Sequence, residues 1–233
     1  MIGILFLGLL IGMQHAMEAD HVAAVASIAS RETSIRRIVR HGTTWGIGHA
    51  LTFLPIAGGV LWAGLEIGAE LSSWLEMMVG LLLIGLGGHV IIRLIRERIH
   101  FHHHRHRDGT THVHAHSHVR SLPHQEMAAH EHRHSRGSAI GPLLIGMTHG
   151  VAGSAALVVL AISSTSGLAF GLVYISLFCV GSIIGMVLLS AVIAVPLSYA
   201  AKGLTWTHWL MNGVVGSTTM GIGIVIVVRH IIA

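Results

Sequence analysis

The chain has 233 residues, of which 52% are hydrophobic and only 10% are charged, and its mean hydropathy is +0.72. This composition excludes an ordinary soluble domain and predicts an all-α membrane protein. The formal net charge of +4 does not indicate a nucleic-acid partner, because the arginines lie at the ends of apolar stretches, where they set membrane topology.

Six apolar stretches are long enough to cross a bilayer, which needs about 20 residues per helix. With the N-terminus outside the cell, every Arg and Lys except Arg229 faces the cytoplasm, as the positive-inside rule requires. The sequence therefore predicts a multi-pass protein of the cell membrane, surrounded by lipid. The predicted spans are residues 2–30, 42–63, 72–95, 139–163, 167–195 and 207–230.

The two halves of the chain repeat each other. Residues 9–16 (LLIGMQHA) reappear as residues 143–150 (LLIGMTHG). Because each copy holds three spans, an odd number, the second copy is inverted in the membrane, as is typical of secondary transporters with a midplane substrate site. The alternative is chance similarity between apolar helices. We predict two inverted three-helix repeats, residues 1–98 and 139–233, joined by a loop at residues 99–138.

Four ionisable side chains lie within seven residues of the first span: His15, Glu18, Asp20 and His21. At 1.5 Å per residue from Arg31, they lie about 15 to 24 Å deep, near the bilayer centre. A central charge costs about 2.5 to 3.5 kcal/mol on insertion scales, so the cluster needs partners, water or a metal. Asp20 lies about 140° around a helix from His15. Either the helix is locally unwound, or Asp20 orients a histidine without binding the metal itself.

Two further histidines lie inside predicted spans. His49 is in the second span, and His149 is the repeat counterpart of His15 in the fourth. Each alone would be interpreted as a hydrogen-bonded packing residue. Together with the first-span cluster they form a set of imidazoles and carboxylates that suits Ni, Co, Zn or Fe(II). The candidate metal residues are His15, Glu18, Asp20, His21, His49 and His149.

Thirteen histidines lie between His100 and His134. The segment has few large apolar residues and cannot form a core, so it is predicted to be a disordered cytoplasmic loop. Histidine tracts of this density bind divalent metals, and metal buffering is favoured over a solubilising linker with a pH-dependent charge. The candidate loop residues are His102, His103, His104, His112, His114, His116 and His118.

Residues 15–21 (HAMEADH) resemble the His-x4-Asp-His signature of the nickel/cobalt transporter family, and Gly48-His49 resembles its Gly-His in the next span. The resemblance includes efflux proteins with a His-rich loop in mid-chain and short urease-accessory permeases. It implies metal recognition by His15, Asp20, His21 and His49. It also implies a metallochaperone or a urease or hydrogenase maturation protein as a partner. Glu18 stands where the importers usually have Asp.

The main hypothesis is a secondary transporter that carries Ni(II) or Co(II) as its cargo. Import is preferred because the membrane potential alone drives it, and proton-coupled export is the alternative. The sequence has no Gly-x4-Gly-Lys-Ser/Thr phosphate loop, so this chain is not expected to use ATP, and no resident cofactor is predicted.

Two hypotheses of other classes remain. A membrane metalloenzyme is disfavoured because His-Glu-x-x-His spacing and repeated His boxes are absent from the sequence, so the chain is not expected to be an enzyme. The second is a non-transporting accessory that concentrates metal in its loop for a maturation partner.

Overall fold

The computed structural model describes residues 2–30, 32, 34–65, 68–96, 99–105, 111–117, 140–152, 167–202 and 205–232. These residues form seven helices and two strands. The helices are α1 (Ile2–His15), α2 (Ala19–Ala29), α3 (Ile35–Ala63), α4 (Ala69–Arg96), α5 (Ile140–Ala152), α6 (Leu168–Lys202) and α7 (Thr205–Ile232), and the strands are β1 (Ile99–Arg105) and β2 (Thr111–Ser117).

Four helices, α3, α4, α6 and α7, are long and apolar enough to cross a membrane, while α1, α2 and α5 are apolar but shorter. The four long helices contain the predicted spans at 42–63, 72–95, 167–195 and 207–230, apart from residue 167. They extend past the apolar stretches because a helix continues into the interfacial region, where polar and charged residues are tolerated. Residues 153–163 of the predicted fourth span lie outside the described residues.

The surface of the helical part is apolar. Trp62 is 76% exposed and Ile232 is 79% exposed, whereas polar side chains such as Ser190 and Thr219 are buried. This distribution is the reverse of a soluble protein and suits a lipid environment, in which polar groups must find partners inside the helix bundle.

The first predicted span is broken between α1 and α2. The backbone N–H of Met17 donates to Gln14 O at 2.9 Å, and that of Glu18 donates to His15 O at 3.0 Å. These bonds span three residues instead of the four of an α-helix, so the chain is wound more tightly here. Glu18 then adopts extended backbone angles, φ −64° and ψ 150°, and α2 begins at Ala19. The helix is therefore locally unwound, as the first of the two alternatives for this span predicts. The second alternative, in which Asp20 orients a histidine, depends on the side-chain contacts of Asp20.

α1 and α6 approach closely at small residues. A Cβ added to Gly181 would collide with the backbone carbonyl of Leu9, and one added to Gly185 would meet that of Met13. The contact moves forward by four residues on both helices, from Leu9 to Met13 and from Gly181 to Gly185, so α1 and α6 run parallel. Backbones come this close only where side chains are absent, which is how small residues stabilise membrane helix pairs.

α3 and α5 form a second close pair. A Cβ added to Gly146 would collide with the carbonyl of Trp45, and one added to Gly150 would collide with that of His49. These positions also advance together, so the helices are parallel. The contact places His49 on α3 beside the last turn of α5, which carries His149.

α4 and α7 form a third close pair, which is antiparallel. Gly80 meets the carbonyl of Gly223, while Gly87 meets that of Gly216. A hydrogen bond between the hydroxyls of Ser27 and Thr219, 2.9 Å long and buried, joins α2 to α7. The broken first span is therefore attached on both sides, α1 to α6 and α2 to α7.

Part of the His-rich loop differs from the predicted disorder. β1 and β2 pair antiparallel, with Ile99 opposite Ser117 and Arg105 opposite Thr111. The alternation of histidine with other residues in residues 111–117 (THVHAHS) has the period of two that is typical of a strand, a signal that the compositional argument did not use. Residues 106–110 and 118–139 lie outside the described residues, and the division of the chain into domains stays a prediction.

Candidate metal centre

Four imidazoles meet where the first span is broken. His15 ends α1, His21 is in the first turn of α2, and α3 and α5 supply His49 and His149. The His15 and His21 ring centroids are 4.4 Å apart, and His21 is 5.4 Å from His49 and 4.3 Å from His149. None of the four residues is more than 4% exposed.

Asp20 connects two of these rings. Its Oδ1 accepts a hydrogen bond from His21 Nδ1 at 2.9 Å, and its Oδ2 accepts one from His149 Nε2 at 3.1 Å. Since a carboxylate oxygen accepts and the ring nitrogen must donate, these bonds assign the proton to His21 Nδ1 and to His149 Nε2. The opposite nitrogen of each ring is then left with a lone pair directed away from Asp20.

These lone pairs, on His21 Nε2 and His149 Nδ1, are buried without a hydrogen-bond partner among the described residues. Both nitrogens of His49 are also buried without a partner there, and one of the two carries a lone pair in the neutral ring. An unpaired buried polar atom costs about 1 to 3 kcal/mol, so proteins rarely keep several together without a use. Lone pairs on neutral imidazoles suit a divalent transition metal.

Two overlapping trios have the spacing of a metal site. In one, a ligand atom from each of His15, His21 and His49 lies within 4.8 Å of the others, and in the second the same holds for Asp20, His21 and His149. Ligands about 2.1 Å from one ion lie at most about 4.2 Å apart, so either trio needs only a small contraction. His21 belongs to both and lies at the centre of the cluster.

Glu18 lies at the edge of this cluster. Its Oε1 is 3.0 Å from His15 Nδ1, but 44% of its side chain is exposed, and it belongs to neither trio. The reason is the break itself, because Glu18 sits in the extended segment that precedes α2 rather than on either helix. The structure thus places four buried histidines and the partly buried Asp20 in one group, with Glu18 on its rim.

Aromatic rings enclose the imidazoles, a feature that the sequence analysis did not identify. Phe53 stacks on His49 at 5.7 Å, Phe178 lies 5.3 Å from His15, and Trp45 lies 5.4 Å from His149. Their apolar faces surround the polar cluster, and the low dielectric strengthens electrostatic interactions inside it. Helical periodicity could have identified two of these rings, because Trp45 and Phe53 lie four residues before and after His49, on the same helix face.

The loop candidates lie apart from this cluster in sequence. Six of them belong to the hairpin, and His118 lies outside the described residues. The two-stranded pairing places three pairs of histidines directly opposite each other along the backbone: His100 and His116, His102 and His114, and His104 and His112.

Apolar helices that enclose a buried group of imidazoles and a carboxylate define a multi-pass membrane protein of the transporter type. The chain is 32% identical to the urease accessory protein UreH of Bacillus sp. (strain TB-90) over 202 residues, covering 87% of this chain and 81% of that protein. No family model and no solved structure matches the chain.

The chain belongs to the nickel/cobalt transporter superfamily, alongside UreH, which confirms the family resemblance of residues 15–21. UreH is named as a urease accessory protein and not as an enzyme, and the metalloenzyme hypothesis is therefore set aside.

Proposed function

We propose that this protein is a secondary transporter of divalent transition-metal ions, with Ni(II) as the main cargo, Co(II) as a second one and import as the direction. The observation that carries the proposal is the buried cluster, in which Asp20 orients His21 and His149 so that unprotonated ring nitrogens remain for an ion. The relationship to a urease accessory protein supports nickel as the cargo and a urease maturation protein as the partner that receives it.

In this proposal the ion gives up part of its water shell for imidazole nitrogens. His21 binds it together with His15 and His49, whose ligand atoms lie within 4.8 Å of one another. His149 offers its far-side nitrogen to the same cluster, because its Nε2 donates to Asp20. Asp20 acts mainly by orienting the rings, as carboxylates behind metal-binding histidines commonly do.

An inverted repeat of two three-helix units would supply the movement. Three sets of contacts support it, since each contact has a counterpart near the repeat offset. Leu9 with Gly181 corresponds to Leu143 with Gly48. Gly12 against Phe178 corresponds to Gly146 against Trp45, and Gly80 with Gly223 corresponds to Gly216 with Gly87.

The helix directions agree with six alternating crossings. The first and fifth spans are parallel, as are the second and fourth, while the third and sixth are antiparallel. Rocking of the two halves around the cluster would expose the ion to each side in turn. The N-terminus would lie outside the cell and the His-rich loop in the cytoplasm, as the distribution of arginines requires.

The energy for import is available without a second ion. Moving two charges inward through 100 mV yields about 4.6 kcal/mol, which corresponds to about three decades of accumulation. Export against this potential would need coupling, and protons that compete for the same imidazoles are the natural coupling ion.

The loop is proposed to retain metal on the cytoplasmic side. Its hairpin register supports this role, because three pairs of histidines occupy directly opposed backbone positions. A non-transporting accessory that uses the same loop to pass metal to a maturation protein is the second candidate, favoured by the word "accessory" in the relative's name.

Uptake of radioactive nickel into proteoliposomes under an imposed inside-negative potential tests the transport proposal. We expect potential-dependent accumulation that the Asp20→Asn variant lacks. Accumulation driven only by a pH gradient would contradict import driven by the potential and favour proton-coupled export. No flux of nickel or cobalt under either gradient would reject transport altogether and leave the accessory role.

A further inference from the structure

One face of the first helix changes character at the break. Phe6, Leu7 and Leu10 are exposed apolar residues on α1, as expected for contact with lipid. Helical spacing continues this exposed face to Gln14 and then to Met17 and Glu18 beyond the end of the helix. At the level of the metal cluster, this face therefore carries the Gln14 amide, the Met17 thioether and the Glu18 carboxylate in place of hydrocarbon side chains.

A carboxylate cannot lie on a lipid-facing surface here without a large cost. At the centre of a span, insertion scales charge about 2.5 to 3.5 kcal/mol for an acidic residue, and such residues face the bundle interior or a water-filled cavity. Glu18 is 44% exposed and Met17 is 62% exposed, so neither is enclosed by the described part of the bundle. A water-filled cavity on this face would solvate both the Glu18 carboxylate and the Gln14 amide.

Glu18 is also in direct contact with the cluster. Its Oε1 lies 3.0 Å from His15 Nδ1, and the His15 ring is 4.4 Å from His21 and 5.5 Å from His49. A carboxylate that touches both the exposed surface and the first buried imidazole connects the two. The side chain does this from an extended segment that neither helix constrains.

We propose that Gln14, Met17 and Glu18 line a water-filled entrance to the metal cluster, and that Glu18 is the first ligand of an entering divalent cation. This inference rests on the proposed transport function and adds an entry route to it. At Glu18 the ion keeps most of its water and exchanges part of it for a hard oxygen ligand. It then passes to His15, whose nitrogen suits a borderline metal better, and on to the trio around His21.

Stepwise removal of water explains why two carboxylates with different surroundings are needed. Asp20 contacts two imidazoles and has 22% of its side chain exposed, whereas Glu18 contacts one imidazole and has 44% exposed. The more exposed Glu18 attracts the hydrated ion, and Asp20 stabilises the cluster that holds it after dehydration. Removal of Glu18 should therefore slow entry without abolishing equilibrium binding, whereas removal of Asp20 should weaken equilibrium binding by about 10- to 100-fold.

Cysteine accessibility tests the entrance. In a Cys179→Ser background, which removes the single native cysteine, the variants Gln14→Cys and Met17→Cys are treated with a membrane-impermeant methanethiosulfonate or a lipid-soluble maleimide. Leu10→Cys, one turn earlier on the same face, is the lipid-facing control, and Ala24→Cys is the buried control. We expect the impermeant reagent to modify positions 14 and 17 about tenfold faster than either control, because thiolate forms only where water is present.

Two outcomes would overturn the entrance. Modification of positions 14 and 17 by the lipid-soluble reagent alone would place them against lipid. Disulfide formation between copies of the chain at position 14 or 17, without modification by either reagent, would mean that a second copy covers this face.

Nickel flux and nickel binding separate the two carboxylates. For Glu18→Gln we expect initial flux to fall about tenfold while the equilibrium nickel affinity stays within about threefold of the wild-type protein. Asp20→Asn is the comparison and should lose nickel flux and about 10- to 100-fold in nickel affinity. If Glu18→Gln leaves flux unchanged while Asp20→Asn abolishes it, the entrance is refuted and transport stands. If Glu18→Gln loses binding as Asp20→Asn does, Glu18 is a permanent ligand and not an entry ligand. If flux is absent in the wild-type protein, the proposed function itself fails.

Discussion

Asp20 and His149 are 129 residues apart in sequence and joined by a hydrogen bond of 3.1 Å in the buried cluster. His149 occupies the position in the second half that His15 occupies in the first. Asp20 on α2 therefore orients a histidine on the distant helix α5. In the proposed transport cycle, in which the two halves move against each other, this contact would break or shift, and one side chain would couple ion binding to the rearrangement.

Asp20→Asn should weaken nickel binding by about 10- to 100-fold, the usual cost of removing a carboxylate that orients a metal-binding histidine. An amide of the same size has one acceptor oxygen, so it cannot accept hydrogen bonds from both His21 and His149. Titration calorimetry with nickel on the purified protein measures the effect. Glu76→Gln, at an exposed position of α4, is the matched control and should bind like the wild-type protein. Equal affinities for the two variants would contradict the assignment of Asp20.

His49→Ala should reduce nickel affinity about tenfold or more, because it removes a ligand of the trio with His15 and His21. The control is His89→Ala, which removes an exposed histidine from α4 and should leave affinity unchanged. Both are measured as the dissociation constant for nickel, with thermal unfolding in detergent to verify that the variants are folded. A folded His49→Ala variant with wild-type affinity would remove His49 from the site.

Gly146→Ala should destabilise the protein by about 1 to 3 kcal/mol, since the added methyl group collides with the Trp45 carbonyl in the contact between α3 and α5. Gly141→Ala, on the same helix with open space around its Cβ, should be neutral or stabilising by about 1 kcal/mol through helix propensity. Melting temperatures of the two variants in detergent give the comparison. The packing argument is wrong if Gly146→Ala melts at or above the temperature of Gly141→Ala.

The buried bond between Ser27 and Thr219 should contribute a coupling energy of about 0.6 kcal/mol, the average found for interhelical hydrogen bonds in membranes. The Thr219 hydroxyl gives its single proton to a backbone carbonyl of Val215 or Ala23, so Ser27 is the donor. A double-mutant cycle with Ser27→Ala and Thr219→Val, followed by unfolding in denaturing detergent, measures this coupling. Strictly additive effects of the two substitutions would show that the bond does not stabilise the fold.

Deletion of residues 100–134 distinguishes the two candidate functions. A transporter should keep nickel flux in proteoliposomes, because the buried cluster lies outside the loop, and should lose most of the metal bound per chain at saturation. An accessory without transport should lose its effect on metal delivery to a maturation protein in cells. Loss of flux on deletion, with the remaining protein folded by its melting temperature, would assign the loop an essential part in transport.

Much of the fold follows from local sequence. The spans in α3, α4, α6 and α7 are predictable because a run of about 20 apolar residues has no stable place in water, whatever the rest of the chain does. The hairpin of β1 and β2 was missed because composition was used where the alternation in residues 111–117 was the better signal. From the sequence, a break after His15 was only one of two alternatives. Helical geometry shows that His15 and Asp20 cannot point in the same direction from an unbroken helix, but it does not show whether the helix breaks or Asp20 points elsewhere.

The sequence by itself predicted that this chain lies in a membrane, that ionisable side chains lie within its first apolar stretch and that residues 15–21 resemble the nickel/cobalt transporter signature. These are local properties, because hydropathy and motif spacing depend only on residues that are close together in the chain. Only the tertiary structure decided that Asp20 points to His21 and His149, that Phe53 and Phe178 enclose the rings, and that Glu18 stays on the rim. Those outcomes depend on how distant helices pack, and helix packing is set by close approaches between residues that are far apart in sequence.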